Sequence, residues 1–148
     1  MIELLDTDIF ASECEAILNP VNTVGVMGGG LARIFSNRYP EMDKAYKKAC
    51  EDGSLAIGKV FVWKEPSENR FLICFPTKEH WRNNSKIEYI EDGLIALSKA
   101  IEEYKIKSVA FPALGAGLGG LSWDEVLPIL MCYGEDHPEI NIEIYHPK

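Results

Sequence analysis

The chain has 148 residues, 47% of them apolar, enough for one domain that fills its core without disulfides or metal. Its formal net charge of −8 removes the general attraction that basic proteins have for phosphate backbones, so any nucleic-acid contact must be local, and it favours a monomer. No apolar run reaches the roughly 18 residues of a membrane span, and "MIELLDTDIFASE" carries acidic residues where a signal peptide needs basic ones, so a cytoplasmic protein with no membrane partner is expected.

Strands are expected at Ile2 to Leu5 and Ala16 to Leu18, followed by helices from about Gly30 to Arg38 and Glu41 to Cys50. In the second helix Met42, Ala45, Tyr46 and Ala49 repeat at i, i+3, i+4 and i+7, which marks one buried face. Strands follow at Lys59 to Lys64 and Phe71 to Phe75, then a long amphipathic helix spaced by Ile87, Ile90, Leu94, Leu97 and Ile101. "SVAFP" at 108–112 is a short apolar strand of the kind buried on both faces. "SWDE" opens another helix, with Ser122 as cap and Glu125 placed to return the bond, and "NIEIY" is a last strand. Strands interleaved with helices predict an α/β domain with a largely parallel sheet covered on both faces.

Cys14, Cys50, Cys74 and Cys132 lie far apart with no C-x-x-C pair, and His80, His137 and His146 form no metal-binding cluster. Reduced thiols are expected, with neither a metal site nor a cofactor.

Eight of the 12 glycines fall in two loops, "TVGVMGGG" and "LGAGLGG", each after a predicted strand and before a predicted helix. Glycine permits φ > 0 and close approach to the main chain, so successive N–H groups at a helix start can face phosphate oxygens. Two such loops at the carboxyl ends of neighbouring strands can clasp a diphosphate, whereas a single one is more simply a tight turn. The P-loop pattern fails because Leu31 and Ala32 follow Gly30 where Lys and Ser/Thr are required. Gly115, Gly117 and Gly120 fit G-x-G-x-x-G, but only one strand follows them, whereas a Rossmann fingerprint opens its domain.

Taken in order, "DTDIF", "NPVNTVGVMGGGLA", "FPTKEHW" and "PALGAGLGGLSW" resemble the macrodomain family, in particular the branch of DNA ADP-ribosyl glycohydrolase antitoxins and lysine-dependent terminal ADP-ribose hydrolases. The resemblance runs through the whole chain and implies a single macrodomain over residues 1–148, a three-layer α/β/α sandwich with a mixed, largely parallel sheet and an ADP-ribose cleft.

The resemblance also assigns roles. Asp8 and Ile9 match the pair that recognises adenine, although an aspartate there also suits a turn or cap. Asn22 matches the asparagine that bonds the distal ribose, a task for an amide that both donates and accepts. Asn19 is expected instead to close the strand-to-loop turn before Pro20. Met27 with Gly28, Gly29 and Gly30 would embrace the distal ribose and a phosphate. Leu114, Gly115, Ala116, Gly117, Leu118 and Gly119 would hold the diphosphate through backbone N–H groups.

Lys78 ends "FLICFPTK" and matches the lysine that acts at the anomeric carbon of the distal ribose, with Thr77 placed to position it and Asn22 beside it as second catalytic residue. A lone lysine is otherwise a solvated surface charge, but an amine partly desolvated in a cleft can attack as a nucleophile or form a Schiff base with the opened sugar. His80, Trp81 and Arg82 either line the mouth of the cleft or pack a loop on the core.

The chain departs from the family pattern at several places. Gly29 stands where the antitoxins carry a lysine; Ala116 and Ser122 stand where Cys and Asp are common. Gly119 stands where the terminal ADP-ribose hydrolases place an aspartate, so a lysine-only mechanism fits better than a Lys/Asp pair. The antitoxins also carry a further C-terminal domain that neutralises a toxin, and this chain stops at "IEIYHPK", as the sheet is completed.

The expected function is reversal of ADP-ribosylation: removal of ADP-ribose from a nucleobase in DNA, with a protein acceptor as the other option and the linkage left open. The competing readings are a non-catalytic ADP-ribose reader or scavenger, and an ADP-ribose 1″-phosphate phosphatase; the second lacks an evident water-activating residue in the loops.

Overall fold

The run "AILNPVN" becomes the strand around which the molecule is built. In the computed structural model, which describes residues 1–148, six strands and four helices follow one another as β1 (Ile2–Leu5), β2 (Ala16–Asn22), α1 (Gly30–Arg38), α2 (Pro40–Glu51), β3 (Phe61–Glu65), β4 (Arg70–Lys78), α3 (Ile87–Tyr104), β5 (Ser108–Phe111), α4 (Trp123–Asp136) and β6 (Asn141–Tyr145). They form one sheet in the order β1-β6-β5-β2-β4-β3, in which only β3 runs antiparallel. No helix is long and apolar enough to cross a membrane.

Alternation along the strands divides the core in two. Ala16, Leu18, Ile73, Phe75, Val109 and Phe111 face α3 and α4, where they meet Ile90, Leu94, Leu97, Val126 and Leu130. Ile17, Val21, Leu72, Cys74 and Ala110 face α1 and α2, where they meet Phe35, Met42, Tyr46 and Ala49. Both faces of the sheet are therefore covered, the arrangement expected of strands that read as continuous apolar runs. Helix α3 lies so close to the sheet that a Cβ at Gly93 would stand 2.6 Å from Cε1 of Phe75.

Two strands are longer than their apolar stretches suggest. β2 continues to Asn22 and β4 to Lys78, because the two pair in parallel along their whole length. β5 meets β2 only at Ala16 and Ile17, which leaves the upper part of β2 open on one side and accommodates Pro20, a residue with no N–H to give a ladder. β3 starts at Phe61 rather than Lys59, whose N–H closes a turn on the Ala56 carbonyl.

Asn19 is a correction to the expected turn residue. It lies within β2, fully buried, with Nδ2 against Met27 Sδ at 3.5 Å and Cys74 Sγ at 3.9 Å and with Oδ1 unpartnered. Strand pairing continues past it, so no turn is there to close. Ser122 does cap α4, accepting from the Asp124 N–H at 3.2 Å, but Glu125 does not return a bond to it. Cys14 and Cys74 are buried, Cys50 partly so and Cys132 exposed, all as free thiols.

Candidate active site

Three adjacent strands, β5, β2 and β4, end at the same edge of the sheet. From β2 the chain passes to α1 and α2 on one face; from β4 it passes to α3 on the other and then into β5. The connections diverge around the end of β2, the kind of crevice in which open α/β sheets bind ligands.

The end of β2 is locked to the end of β4. Val21 pairs with Pro76, then the register shifts so that Asn22 pairs with Lys78 and Thr77 is left out of this ladder. Such irregularities re-aim side chains where a strand ends. Two bonds hold the junction: the Thr23 N–H donates to the Lys78 carbonyl at 3.2 Å, and Thr23 Oγ1 donates to the Glu79 carbonyl at 2.9 Å. Thr77, expected to position the lysine, is buried and makes no hydrogen bond to it.

Lys78 has no carboxylate within ion-pair distance. Its Nζ makes one long bond, 3.4 Å, to the Trp81 carbonyl. Partial burial without a counter-charge pushes its pKa below the ordinary lysine value. An amine of this kind has more of its neutral, nucleophilic form near neutral pH than a solvated lysine has.

Asn22 organises the first loop. Its Nδ2 donates to the Val26 carbonyl at 2.7 Å, and Oδ1 accepts from the N–H groups of Val24 and Val26 at 3.2 and 3.3 Å. The hydroxyl of the fully buried Tyr46 reaches both Oδ1 and the backbone carbonyl of Asn22, at 2.9 and 2.8 Å. Tyr46 was visible in the sequence only as one apolar position of α2; nothing in the pattern marks its hydroxyl as the anchor of a loop.

Beyond Asn22 the loop leaves its donors free. The N–H groups of Gly28, Gly29, Gly30, Leu31 and Ala32 have no acceptor in the protein, and α1 has neither a side-chain cap nor an acidic residue in its first turn. This is the uncompensated positive end of a helix dipole, suited to an anion. Met27 is buried beneath the loop, where it packs with the core.

In the second loop the N–H groups of Gly115, Gly117, Leu118 and Gly119 likewise have no protein acceptor. Leu114 is fully buried and Ala116 packs against the core, so these two anchor the start of the loop by their side chains while the N–H groups of Gly115 and of 117–119 stay available. Leu118 is 71% exposed and leans across to the first loop: its Cδ1 would lie 3.3 Å from a Cβ at Gly29 and 3.1 Å from one at Gly30. The two glycine loops therefore meet.

Gly119 has no room for a side chain. A Cβ there would fall on the Gly115 carbonyl oxygen and on Ser85 Oγ, while the Gly119 carbonyl accepts from the Ser85 N–H at 2.8 Å. Ser85 is buried with its hydroxyl unpartnered, and Asn84 lies against Gly120; both brace the loop from the β4–α3 connection. Neither carries a sequence signal, since the contact is made across about 35 positions of chain.

Asp8 is exposed and caps the short helical turn Ile9–Ala11 by accepting from the Phe10 N–H at 3.0 Å, which leaves its other oxygen free. The Ile9 side chain is buried among the residues facing α1, and the Phe10 ring packs tilted against Phe35, with ring centres 4.9 Å apart. Trp81 and Arg82 are exposed and His80 is half-buried, the three side chains lying one against the next, and Trp81 belongs to neither half of the core. No group of three or more His, Cys, Asp or Glu is placed to hold a metal ion.

The model of the Macro domain family matches residues 18–130, a span that includes most of β2, Lys78 and both glycine loops. The chain belongs to the macrodomain family. Over its whole length this macrodomain is 46% identical to a DNA ADP-ribosyl glycohydrolase of Mycobacterium tuberculosis, of which it spans 43%. The solved macrodomain of Mycobacterium tuberculosis DarG superposes with a TM-score of 0.95 at 45% identity, covering 100% of this chain and 99% of that one. A Thermosipho africanus DarTG structure in complex with ADP-ribose superposes with a TM-score of 0.93 at 37% identity, covering 99% of this chain and 41% of that one. The macrodomain thus corresponds to less than half of the curated relative it matches, and to the part that carries the three-layer fold.

Proposed function

We propose that this macrodomain binds ADP-ribose in the crevice between its glycine loops and, acting as a monomer, hydrolyses the bond between ADP-ribose and a nucleobase of DNA. The observation that carries the reading is Lys78: an ammonium without a counter-ion, partly desolvated, fixed opposite Asn22 at the strand edge where two loops present unpaired N–H groups. The names of the relatives at 46% and 40% identity, both DNA ADP-ribosyl glycohydrolases, point the same way.

In this reading the free N–H groups of the second loop and of the start of α1 hold the diphosphate. These donors are neutral and preorganised, so they serve an anion even on an acidic protein. The free oxygen of Asp8 accepts from the adenine amine. The remaining N–H of the Asn22 amide meets a hydroxyl of the distal ribose.

The neutral amine of Lys78 attacks C1″ of that ribose. The new C–N bond forms as the bond from C1″ to the base breaks, the base leaving with the electron pair and taking a proton. Ring opening gives an imine, and water adds to it to release ADP-ribose and return the amine. Since Gly119 cannot carry a carboxylate, this scheme uses the lysine without an aspartate partner.

The deciding experiment is release of ADP-ribose from an ADP-ribosylated single-stranded oligonucleotide by the native protein and by Lys78→Ala, with ADP-ribose binding measured for both. Release by the native protein alone, with binding retained in both, supports the hydrolase. Binding without release in either leaves a reader of ADP-ribose; absence of binding overturns the reading as a whole.

A further inference from the structure

The segment from Lys78 to Lys86 is unlike the rest of the chain. It holds three cations, Lys78, Arg82 and Lys86, against the single carboxylate of Glu79, in a protein of net charge −8. Its one large apolar side chain, Trp81, is 48% exposed, and no core packing accounts for its presence.

The Trp81 ring is held in place. The His80 ring lies 5.1 Å away at a 33° tilt, and the Arg82 guanidinium sits 4.6 Å from the Trp81 ring centre. The turn is fixed by the Arg82 N–H bonding His80 Nδ1 at 3.1 Å and by the Asn83 N–H bonding the His80 carbonyl at 3.0 Å. The Trp81 carbonyl is the acceptor for Lys78 Nζ, which ties this stack to the amine. Next to it is an open hollow of about 510 Å³, lined by Arg82, Asn83, Asn84 and Lys86 among others, with polar side chains for phosphate or a base edge.

We propose that the Trp81–Arg82 stack is a platform for the nucleobase that neighbours the modified nucleotide in single-stranded DNA, with the adjoining hollow taking the phosphate that joins them. This rests on the glycohydrolase reading above and specifies how that site takes its substrate. An exposed aromatic ring with a cation stacked on it offers a surface to any unstacked base, whereas a base inside a duplex has no free face to give. A local cluster of cations draws a phosphate at short range without asking the acidic protein as a whole to attract a polyanion. Glu79 moderates the positive charge and accepts from the Tyr89 hydroxyl at 2.7 Å, which keeps it engaged at the edge of the hollow.

The test is the concentration dependence of ADP-ribose release from a modified single-stranded oligonucleotide by the native protein, Trp81→Ala and Trp81→Phe. The platform predicts that Trp81→Ala raises KM about 5- to 100-fold with kcat held, and that Trp81→Phe recovers most of the loss, as expected for one base stack. Annealing a complementary strand should weaken the native protein towards the level of Trp81→Ala. An unchanged KM in Trp81→Ala overturns the platform; so does a fall in kcat together with ADP-ribose affinity, which would make the ring a support for Lys78 instead. If the native protein itself releases nothing, the glycohydrolase reading has failed and the platform falls with it, a result distinct from an indifferent mutant.

Discussion

Asn22 and Lys78 face each other across adjacent parallel strands because Thr77 drops out of the ladder between them. The same Asn22 amide is tied through Tyr46 to α2 and through Val24 and Val26 to the first glycine loop. The position of the Lys78 amine and the shape of the loop beside it therefore depend on one buried polar cluster.

Asn22→Ala is expected to remove both the loop's acceptor and one partner of the buried Tyr46 hydroxyl. The cost should be about 1–3 kcal/mol in stability, with a loss of ADP-ribose affinity from the loosened loop. Tyr46→Phe, which removes only the hydroxyl donor, should cost about 1 kcal/mol. Urea denaturation and titration calorimetry of both variants measure the two effects separately.

Single-turnover release should rise with pH and level off below the ordinary pKa of lysine. The direction follows from burial: folding strips water from the ammonium, so the proton is held less tightly in the folded protein and the neutral amine appears at lower pH. The same sign means that protonated Lys78 works slightly against folding, and Lys78→Met should not lower the melting temperature. Borohydride added during turnover should trap the native protein, but not Lys78→Met, as a reduced adduct carrying ADP-ribose. A flat pH profile with no adduct would exclude the amine as nucleophile.

Gly119→Asp would supply the carboxylate of a Lys/Asp pair, yet it should abolish ADP-ribose binding, because the new side chain displaces the Gly115 carbonyl and Ser85. Gly117→Ala meets no atom within 4 Å and should leave fold and stability as they are. Calorimetry and circular dichroism on the pair would show whether the loop discriminates between its glycines in this way.

Gly93→Ala places a methyl group against the Phe75 ring and should destabilise the protein by about 1–3 kcal/mol through overpacking of α3 on β4. Because Phe75 lies three residues before Lys78, the variant should also lower kcat under conditions where it remains folded. Thermal melting and kinetics at low temperature separate the two consequences.

Much of this molecule was legible from the chain. Apolar runs and helical periods located every major strand and helix, since burial on both sides of a sheet demands those patterns locally. Two glycine clusters marked the two loops that leave backbone N–H groups free, because close approach to the main chain requires glycine, and the family resemblance of "FPTK" singled out Lys78 at the end of β4. Other features were decided only in three dimensions. Asn19 reads as a turn residue before proline, yet strand pairing with β4 carries it into the core. The hydroxyl of Tyr46, the bracing of Gly119 by Ser85 and the reach of Leu118 to Gly29 join residues distant in sequence. The skipped Thr77, which sets Asn22 against Lys78, is likewise a property of two paired strands. Periodicity and residue type report what a segment requires of its surroundings; register and packing between segments settle which partners satisfy it.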